Sequence, residues 1–429
     1  MNSFIIFLPL LVLMICFVIR LPIGLGMIIS CAVYFVGKGM SLGIIADTVM
    51  SQLYASTVMI AIPLFIFTAN IMSSGKVTEY MFTFVKAILG KRKGALAHLN
   101  IILSLIFSGM TGSAAADAAG LGTIEIEEMK KDGYDMPFSA AITAATATVG
   151  PIFPPSIPLV IYSMFAQVSV GKLFFGGMIP AVLICVILGI YVSFLSKKRN
   201  YPEGISFTRK KFWTYTLRAL PALFTPVILL GGIYTGIVTA TEAGALAALY
   251  TILISFLAYR VLSMKGLVRV IKDTVIQTGK IFSVVIGAYL LSYYATTSGL
   301  GKIISTFTLG LTDNKYVFLL IVNVLFLLLG MLFDTNVLEF VFFPLLIPVA
   351  KALGVDLVHL GVVLTVNMMI GSVTPPFGMM CFISAGIANE KLTSVFKEVL
   401  PMAGLMIVVL ILITYFPALI TFVPNLIMG

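Results

Sequence analysis

Long apolar runs recur along the whole chain and are separated by short polar or basic stretches. Many approach the roughly 20 residues that a helix needs to cross the hydrocarbon core of a bilayer. This pattern predicts an all-α, polytopic membrane protein with on the order of ten to twelve spans, some of them broken. Clear examples are residues 5–19, 53–72, 181–195, 219–234, 317–333 and 402–420.

Two apolar runs contain residues that a continuous helix cannot hold. Residues 150–156 read GPIFPPS and residues 371–376 read GSVTPP. Proline inside a helix removes a backbone hydrogen bond and clashes with the preceding turn. Unpaired backbone in lipid costs several kcal/mol per group, so it persists only where protein or a water-filled cavity receives it. We therefore expect two broken helices; a pair of kinks without a ligand is the alternative.

Two turns of small or polar residues lie at the same predicted depth. Residues 109–120 and 330–336 each stand between apolar runs, which predicts re-entrant helical hairpins near 99–130 and 317–351. Small side chains alone would be explained by close helix packing. Asp117 and Asp334 argue for more, because a carboxylate at membrane depth is costly and by default marks a substrate, ion or proton path.

The two hairpin–break pairs belong to an internal repeat. A shift of 221 residues places 109–180 on 330–401, and twelve of these 72 positions are identical, about twice the number expected by chance for so biased a composition. The two halves share residues that shape the backbone, namely Gly109 with Gly330, Gly133 with Gly354, Gly150 with Gly371, Pro154-Pro155 with Pro375-Pro376, and Pro180 with Pro401. Such duplication predicts two inverted-topology repeats: a first half at 1–195, a basic cytoplasmic loop at 196–218 and a second half at 219–429.

Composition and charge exclude several other classes of protein. Hydrophobic residues make up 60% of the 429 positions and charged residues 10%, against roughly 25% charged residues in soluble domains. The net charge of +10 does not indicate nucleic-acid binding, because the basic residues cluster in short loops, as cytoplasmic loops do. The stretch 196–218 alone holds seven Lys or Arg and one acidic residue, Glu203. Neither the four cysteines nor the two histidines have metal-site spacing.

These features together predict a transport site. Two hairpin tips and two helix breaks would converge near the bilayer midplane, where half-helix N-termini attract an anion and freed carbonyls coordinate a small cation. The sequence has no Gly-rich phosphate loop of the Walker type. We therefore expect transport to be driven by an ion gradient.

At these positions the sequence resembles the large membrane subunit of tripartite ATP-independent periplasmic (TRAP) transporters. The resemblance covers nearly the whole chain. It is carried by residues 112–120 (GSAAADAAG), 129–134, 150–156 and Tyr162 in the first half, by 231–236 and 241–243, and by 347–354, His359, Gly361 and 371–376 in the second half.

The resemblance implies a permease of the bacterial inner membrane rather than an enzyme. It implies sodium-coupled import of a carboxylate-bearing organic acid by an elevator motion, with sodium as the coupling ion and no further cofactor. The implied partners are a small membrane subunit and a periplasmic binding protein that delivers the substrate. Carried over residue by residue, the substrate site comprises Ser113, Ser156 and Asp334; one sodium site comprises Gly112, Asp117 and Gly150, and the other Gly330, Gly371 and Thr374.

The sequence departs from the family pattern at two acidic residues. Glu127 stands where the family commonly has proline, and Glu339 stands where an apolar residue is usual. Glu339 is either a polar residue facing a cavity or loop, or a sign of altered substrate polarity.

Three rival functions were weighed against the carrier. A stand-alone divalent-anion/sodium symporter is the nearest, and a binding protein would distinguish the two. A purely structural membrane scaffold would not need paired breaks and buried carboxylates. An intramembrane aspartyl protease would be expected to carry a Gly-x-Gly-Asp sequence, which neither Asp117 nor Asp334 has.

Overall fold

The computed structural model describes residues 3–73, 75–300, 303, 306, 310 and 312–428. In this part of the chain the structure is helical, apart from one isolated antiparallel bridge between Lys93 and Glu203. The chain begins with five helices and a 3-10 turn: α1 (Ser3–Val18), α2 (Ile23–Gly37), α3 (Gly43–Ala55), the 3-10 turn (Thr57–Ile60), α4 (Ala61–Met72) and α5 (Gly75–Leu89).

Two similar units follow, and we name them the first and second repeat units. The first contains α6 (Ala95–Thr111), α7 (Ala114–Ala119), α8 (Leu121–Lys131), α9 (Met136–Ala147), α10 (Ile157–Ala166) and α11 (Val170–Lys198). Between the units lie α12 (Arg209–Tyr234), α13 (Ala240–Leu253), a π-helical turn (Ile254–Ala258) and α14 (Met264–Thr297). The second repeat unit contains α15 (Lys315–Gly330), α16 (Thr335–Ala352), α17 (Leu357–Gly371), α18 (Met379–Ala388) and α19 (Leu392–Tyr415). Helix α20 (Ala418–Met428) follows it.

The expected fold class is confirmed: the protein is all-α, with helical hairpins, broken helices and apolar helices able to cross a membrane. The uninterrupted spans are fewer than expected. Within the described residues, five helices are long and apolar enough to cross a bilayer, or six if α3 and the segment Thr57–Met72, bent by 77°, form one span. The difference arises because many apolar helices end after 10–17 residues at a tip or a break.

The expected basic loop is shorter than 196–218. Residues 196–198 complete α11, and α12 begins at Arg209, so only 199–208 connect the two helices. The predicted limits of this loop follow the cluster of basic residues. Lys and Arg are good helix formers, however, and continue a helix past the apolar core. Arg199, in this connection, pairs with Asp135 at 3.2 Å and with Glu398 at 2.9 Å.

The two repeat units contact each other through two equivalent pairs of helices. Helix α9 of the first unit packs on α18 of the second, and α17 of the second packs on α10 of the first. Gly133 and Gly354, which precede α9 and α17, both have positive φ, at 80° and 68°. Asp135 and Asp356 occupy the N-cap positions of these two helices. This reciprocal packing is what two duplicated units related by a pseudo-two-fold axis produce.

One hydrogen bond joining the two units provides a test of this packing. Tyr162 in α10 is fully buried, and its hydroxyl donates to the Leu357 carbonyl at 2.7 Å, at the start of α17. We expect Tyr162→Phe to lower the free energy of unfolding by about 1 kcal/mol, the usual net value of such a bond. Thermal unfolding in detergent measures the change, with Tyr54→Phe as control because Tyr54 is 81% exposed. Equal melting temperatures for the two variants would contradict the role of this bond.

Candidate functional site

The tip of the first hairpin packs directly on the first helix break. Helix α6 ends at Thr111, and Gly112 takes a left-handed conformation (φ 61°) that reverses the chain. Ser113 then begins α7, its hydroxyl accepting a hydrogen bond from the Ala116 amide at 3.4 Å. A Cβ added to Gly112 would lie 2.5 Å from the Pro155 carbonyl oxygen. Both the φ and the contact require glycine at this tip.

Asp117 lies just behind this tip and faces the same break. Its side chain is 3% exposed, and Oδ1 accepts a hydrogen bond from the Thr111 hydroxyl at 2.6 Å. Oδ2 accepts no hydrogen bond from any described residue. A Cβ added to Gly150 would lie 2.6 Å from this oxygen. A buried carboxylate oxygen is therefore held against the unwound backbone, which is the arrangement expected of a cation ligand.

Glu125, in α8, is a second buried acidic group in this region. It is 2% exposed and interacts electrostatically with Asp117. Its Oε1 is likewise without a hydrogen-bond donor among the described residues. Two buried carboxylates in one low-dielectric region repel each other, so a bound cation would stabilise both.

Tight turns and one serine organise the first break. The amides of Val149, Gly150 and Ile152 donate to carbonyls three residues earlier, at 3.0, 3.2 and 3.0 Å. Ser156 is fully buried; its hydroxyl donates to the Pro151 carbonyl and accepts from the Leu159 amide at 3.2 Å. Ser156 thus braces the break and caps α10. It is not among the described residues that line the central cavity, and a direct contact with substrate stays a prediction.

The second hairpin meets the second break through two glycines. A Cβ added to Gly330 would lie 3.1 Å from the Gly371 Cα, and one added to Gly371 would lie 2.6 Å from the Gly330 Cα. The Phe377 amide donates to the Met331 carbonyl at 3.3 Å, which ties the break to the tip. Thr374 is 7% exposed, and its hydroxyl donates to the Ile370 carbonyl at 2.7 Å.

A cavity of about 170 Å³ lies between the two tips, the first break and the helices that flank the second break, and we name it the central cavity. Gly112 and Ser113 line it from the first tip, and Asp334 and Thr335 line it from the second. The first residues of α10 and α18 and the side chain of Glu339 complete much of its wall. Three helices of ten or more residues, α10, α16 and α18, therefore present their N-terminal ends, which carry partial positive charge, to one cavity.

The predicted site residues fall into three neighbouring groups. Ser113 and Asp334 both line the central cavity, and so does Gly112. Asp117 and Gly150 lie together behind the first tip, and Gly330, Gly371 and Thr374 lie at the second tip and break. The first of these two flanking groups fits a small hard cation, because a buried carboxylate oxygen there lacks a donor. The second offers carbonyl and hydroxyl oxygens only.

Two residues of this region were not predicted from the sequence. Thr111 bonds to Asp117 across the tip, and Glu125 is buried near the same carboxylate. No spacing in the sequence signals Glu125, because it lies in α8 whereas Asp117 lies in α7, and only the packing of these helices brings the two carboxylates into one region. Of the two departures noted above, Glu127 is exposed on α8, whereas Glu339 is buried and lines the cavity.

Comparisons with known proteins identify relatives of this chain. The family model described as "Tripartite ATP-independent periplasmic transporter, DctM component" matches residues 10–419. The chain is 35% identical over 410 residues to the sialic acid TRAP transporter large permease protein SiaM of Vibrio cholerae, covering 95% of this chain and 96% of that protein. It is 32% identical to the C4-dicarboxylate TRAP transporter large permease protein DctM of the same organism, covering 96% of each.

One further relative and one solved structure extend the comparison. The sialic acid TRAP transporter permease protein SiaT of Haemophilus influenzae is 36% identical to this chain, covering 99% of this chain and 69% of that longer protein. Among solved structures, the YdaH transporter of Alcanivorax borkumensis is similar, with a TM-score of 0.67 and 13% identity over 88% of this chain and 89% of that one. At that identity the likeness concerns the fold alone.

The glycine pair at the second tip provides a test of the site. We expect Gly371→Ala to lower the free energy of unfolding by about 1–3 kcal/mol, because the added methyl group must push the hairpin away from the break. Thermal unfolding of the purified chain in detergent measures this change. Gly404→Ala is the matched control, since an added Cβ there has no described atom within 4 Å. Similar melting temperatures for both variants would show that the contact is not close.

Proposed function

Because the chain belongs to the DctM family of TRAP transporter large permeases, we propose that it couples sodium influx to the import of a carboxylate-bearing organic acid. The family makes the chain a subunit of a secondary transporter in the inner membrane, and not an enzyme. The proposal goes beyond family membership in two respects, which are the identity of the coupling ion and the class of the substrate.

The observation that carries the proposal is that both tips, the first break and the helices that flank the second break line one central cavity. Unwound backbone at membrane depth is tolerated where it lines a cavity. The N-terminal ends of α10, α16 and α18 favour an anionic group in that cavity. Relatives of similar identity are named for sialic acid, C4-dicarboxylates and isethionate, which are all organic acids. Their variety leaves the acid carried by this chain to be determined.

Sodium coupling is supported by the two groups that flank the cavity. In the first, Asp117 supplies a buried carboxylate oxygen, and the backbone at Gly112 and Gly150 supplies neighbouring polar groups. In the second, the carbonyl oxygens of Gly330 and Gly371 and the Thr374 hydroxyl, which lie together at the tip and the break, would be the ligands. Freed carbonyls and half-helix ends are the groups that hold sodium in secondary transporters.

The partners and the motion complete the proposal. The names of the family and of its relatives point to a small membrane subunit and to a periplasmic binding protein that delivers the substrate. The hairpins and broken helices pack on each other through close glycine contacts. We propose that they move together as one transport domain against the remaining helices, which carries the cavity across the membrane as an elevator.

Sodium dependence tests the coupling. Uptake by proteoliposomes containing this chain and its small subunit, with the binding protein supplied, should require an inward sodium gradient. Asp117→Asn should raise the half-saturating sodium concentration about tenfold, which corresponds to about 1.4 kcal/mol of lost ion binding. Asp132→Asn is the control, because Asp132 is exposed. Equal uptake rates in potassium and sodium would refute the coupling.

Substitution of Asp334 tests whether the central cavity is the substrate site. We expect Asp334→Ala to abolish uptake while membrane insertion and thermal stability are kept, because the carboxylate lines the cavity at the second tip. Uptake of radiolabelled acid measures the effect, with Asp313→Ala as control at an exposed position. Normal uptake by the Asp334 variant would remove this residue from the site. Uptake by the wild-type chain without any binding protein would instead favour a stand-alone divalent-anion/sodium symporter.

A further inference from the structure

Glu339 is a buried acidic residue that the proposed mechanism does not use. It lies in α16, one and a half turns beyond the second tip, and is 1% exposed. Neither carboxylate oxygen accepts a hydrogen bond within the described part of the chain. The residue nevertheless lines the central cavity together with Asp334 and Ser113. A carboxylate in this position needs a partner, because burying it without one is strongly unfavourable.

The cavity wall does not provide that partner. Its fourteen described lining residues include two carboxylates, two hydroxyl groups and no Lys, Arg or His. Asp334 increases the negative potential at Glu339, since the two acidic groups interact electrostatically. The remaining wall near them is apolar, with Ile281, Met369 and Met380 among its members. The described wall thus supplies no positive charge to Glu339, and a cationic group in the cavity would stabilise its carboxylate.

The distribution of charge around the cavity constrains that occupant. The starts of α10 and α18 favour an anionic group. Glu339, whose two carboxylate oxygens accept no hydrogen bond from a described residue, favours a cationic group in the same small space. A solute that carries a carboxylate or sulfonate and a protonated amine satisfies both ends, whereas a plain dicarboxylate would place a second anion beside two carboxylates.

We propose that Glu339 binds a protonated amine of the transported solute, so that the substrate is a zwitterionic, amino-substituted organic acid. This inference rests on the proposed function, because the anionic half of the solute is the organic acid named there. It adds the second group that the substrate must carry and the residue that recognises it.

Matched pairs of small probes test the proposal by isothermal titration calorimetry on the purified full chain in saturating sodium chloride. The pairs are L-alanine with propionate, L-aspartate with succinate, and taurine with ethanesulfonate; within each pair the members differ by one amine. We expect at least one aminated member to bind about tenfold or more tightly than its partner, the usual range for a charge-assisted hydrogen bond. If no aminated probe binds better than its partner, or none binds at all, the proposal is overturned.

Variants of Glu339 then assign the preference to this residue. Glu339→Gln should weaken binding of the preferred aminated probe about 10- to 100-fold and leave its partner unchanged. Glu339→Asp, which retains the charge, should keep part of the preference and covers the case in which the glutamine variant fails to fold. Glu127→Gln is the control, because Glu127 is exposed on α8. Equal weakening of both members of a pair, or of sodium binding alone, would assign Glu339 to another role.

The two proposals fail in different ways. Sodium-driven uptake of an acid without an amine, together with no preference for aminated probes, would overturn the amine contact and leave the coupling in place. A clear preference that Glu339→Gln abolishes, combined with uptake that is indifferent to sodium, would overturn the coupling and leave the amine contact in place.

Discussion

The structure depends on one constraint, which is that backbone polar groups inside a bilayer must find partners within the protein. Each repeat unit breaks this rule locally, by unwinding a helix at 148–156 and at 372–378. Each unit also provides the remedy, because its own hairpin tip covers its own break. The contacts of Gly112 with Pro155 and of Gly330 with Gly371 are so close that a side chain would separate the elements. Close approach is therefore what allows unwound backbone to exist at that depth.

This constraint explains why the site lies between the two units. A break that its own hairpin covers on one side still has backbone polar groups on its other side. Lipid offers no hydrogen-bond partner to those groups. The reciprocal packing of α9 on α18 and of α17 on α10 turns those two free sides toward each other. The central cavity forms where they meet, and it is lined by both tips and by the starts of the half-helices. Transport chemistry thus uses groups that the fold must gather there in any case.

The sequence predicted the elements that depend on local backbone chemistry. Glycine and proline restrict φ and hydrogen bonding whatever surrounds them, so the hairpins, the breaks and the repeat could be read from 109–180 and 330–401. Features that depend on packing were not predictable in the same way. The burial of Glu125 follows from how α8 lies on α9, and the bond between Thr111 and Asp117 exists only once Gly112 has turned the chain. That the Ser156 hydroxyl braces the break was likewise not predictable, because its backbone partners are set by the turn that Pro151 begins; its contact with substrate stays a prediction.

Duplication fixed the backbone of the two units but not their charges. Ser113 and Asp334 occupy equivalent positions after the two tips, yet one is neutral and the other acidic. The equivalent of Asp117 is Leu338, and the equivalent of Glu339 is Ala118. The first unit therefore places Asp117 behind the tip, toward its own break, with Glu125 buried in the same region, whereas the second places two carboxylates on the cavity wall. Because the two units have similar backbones, this unequal charge is what distinguishes the two proposed ion positions from each other and gives the cavity one acidic side.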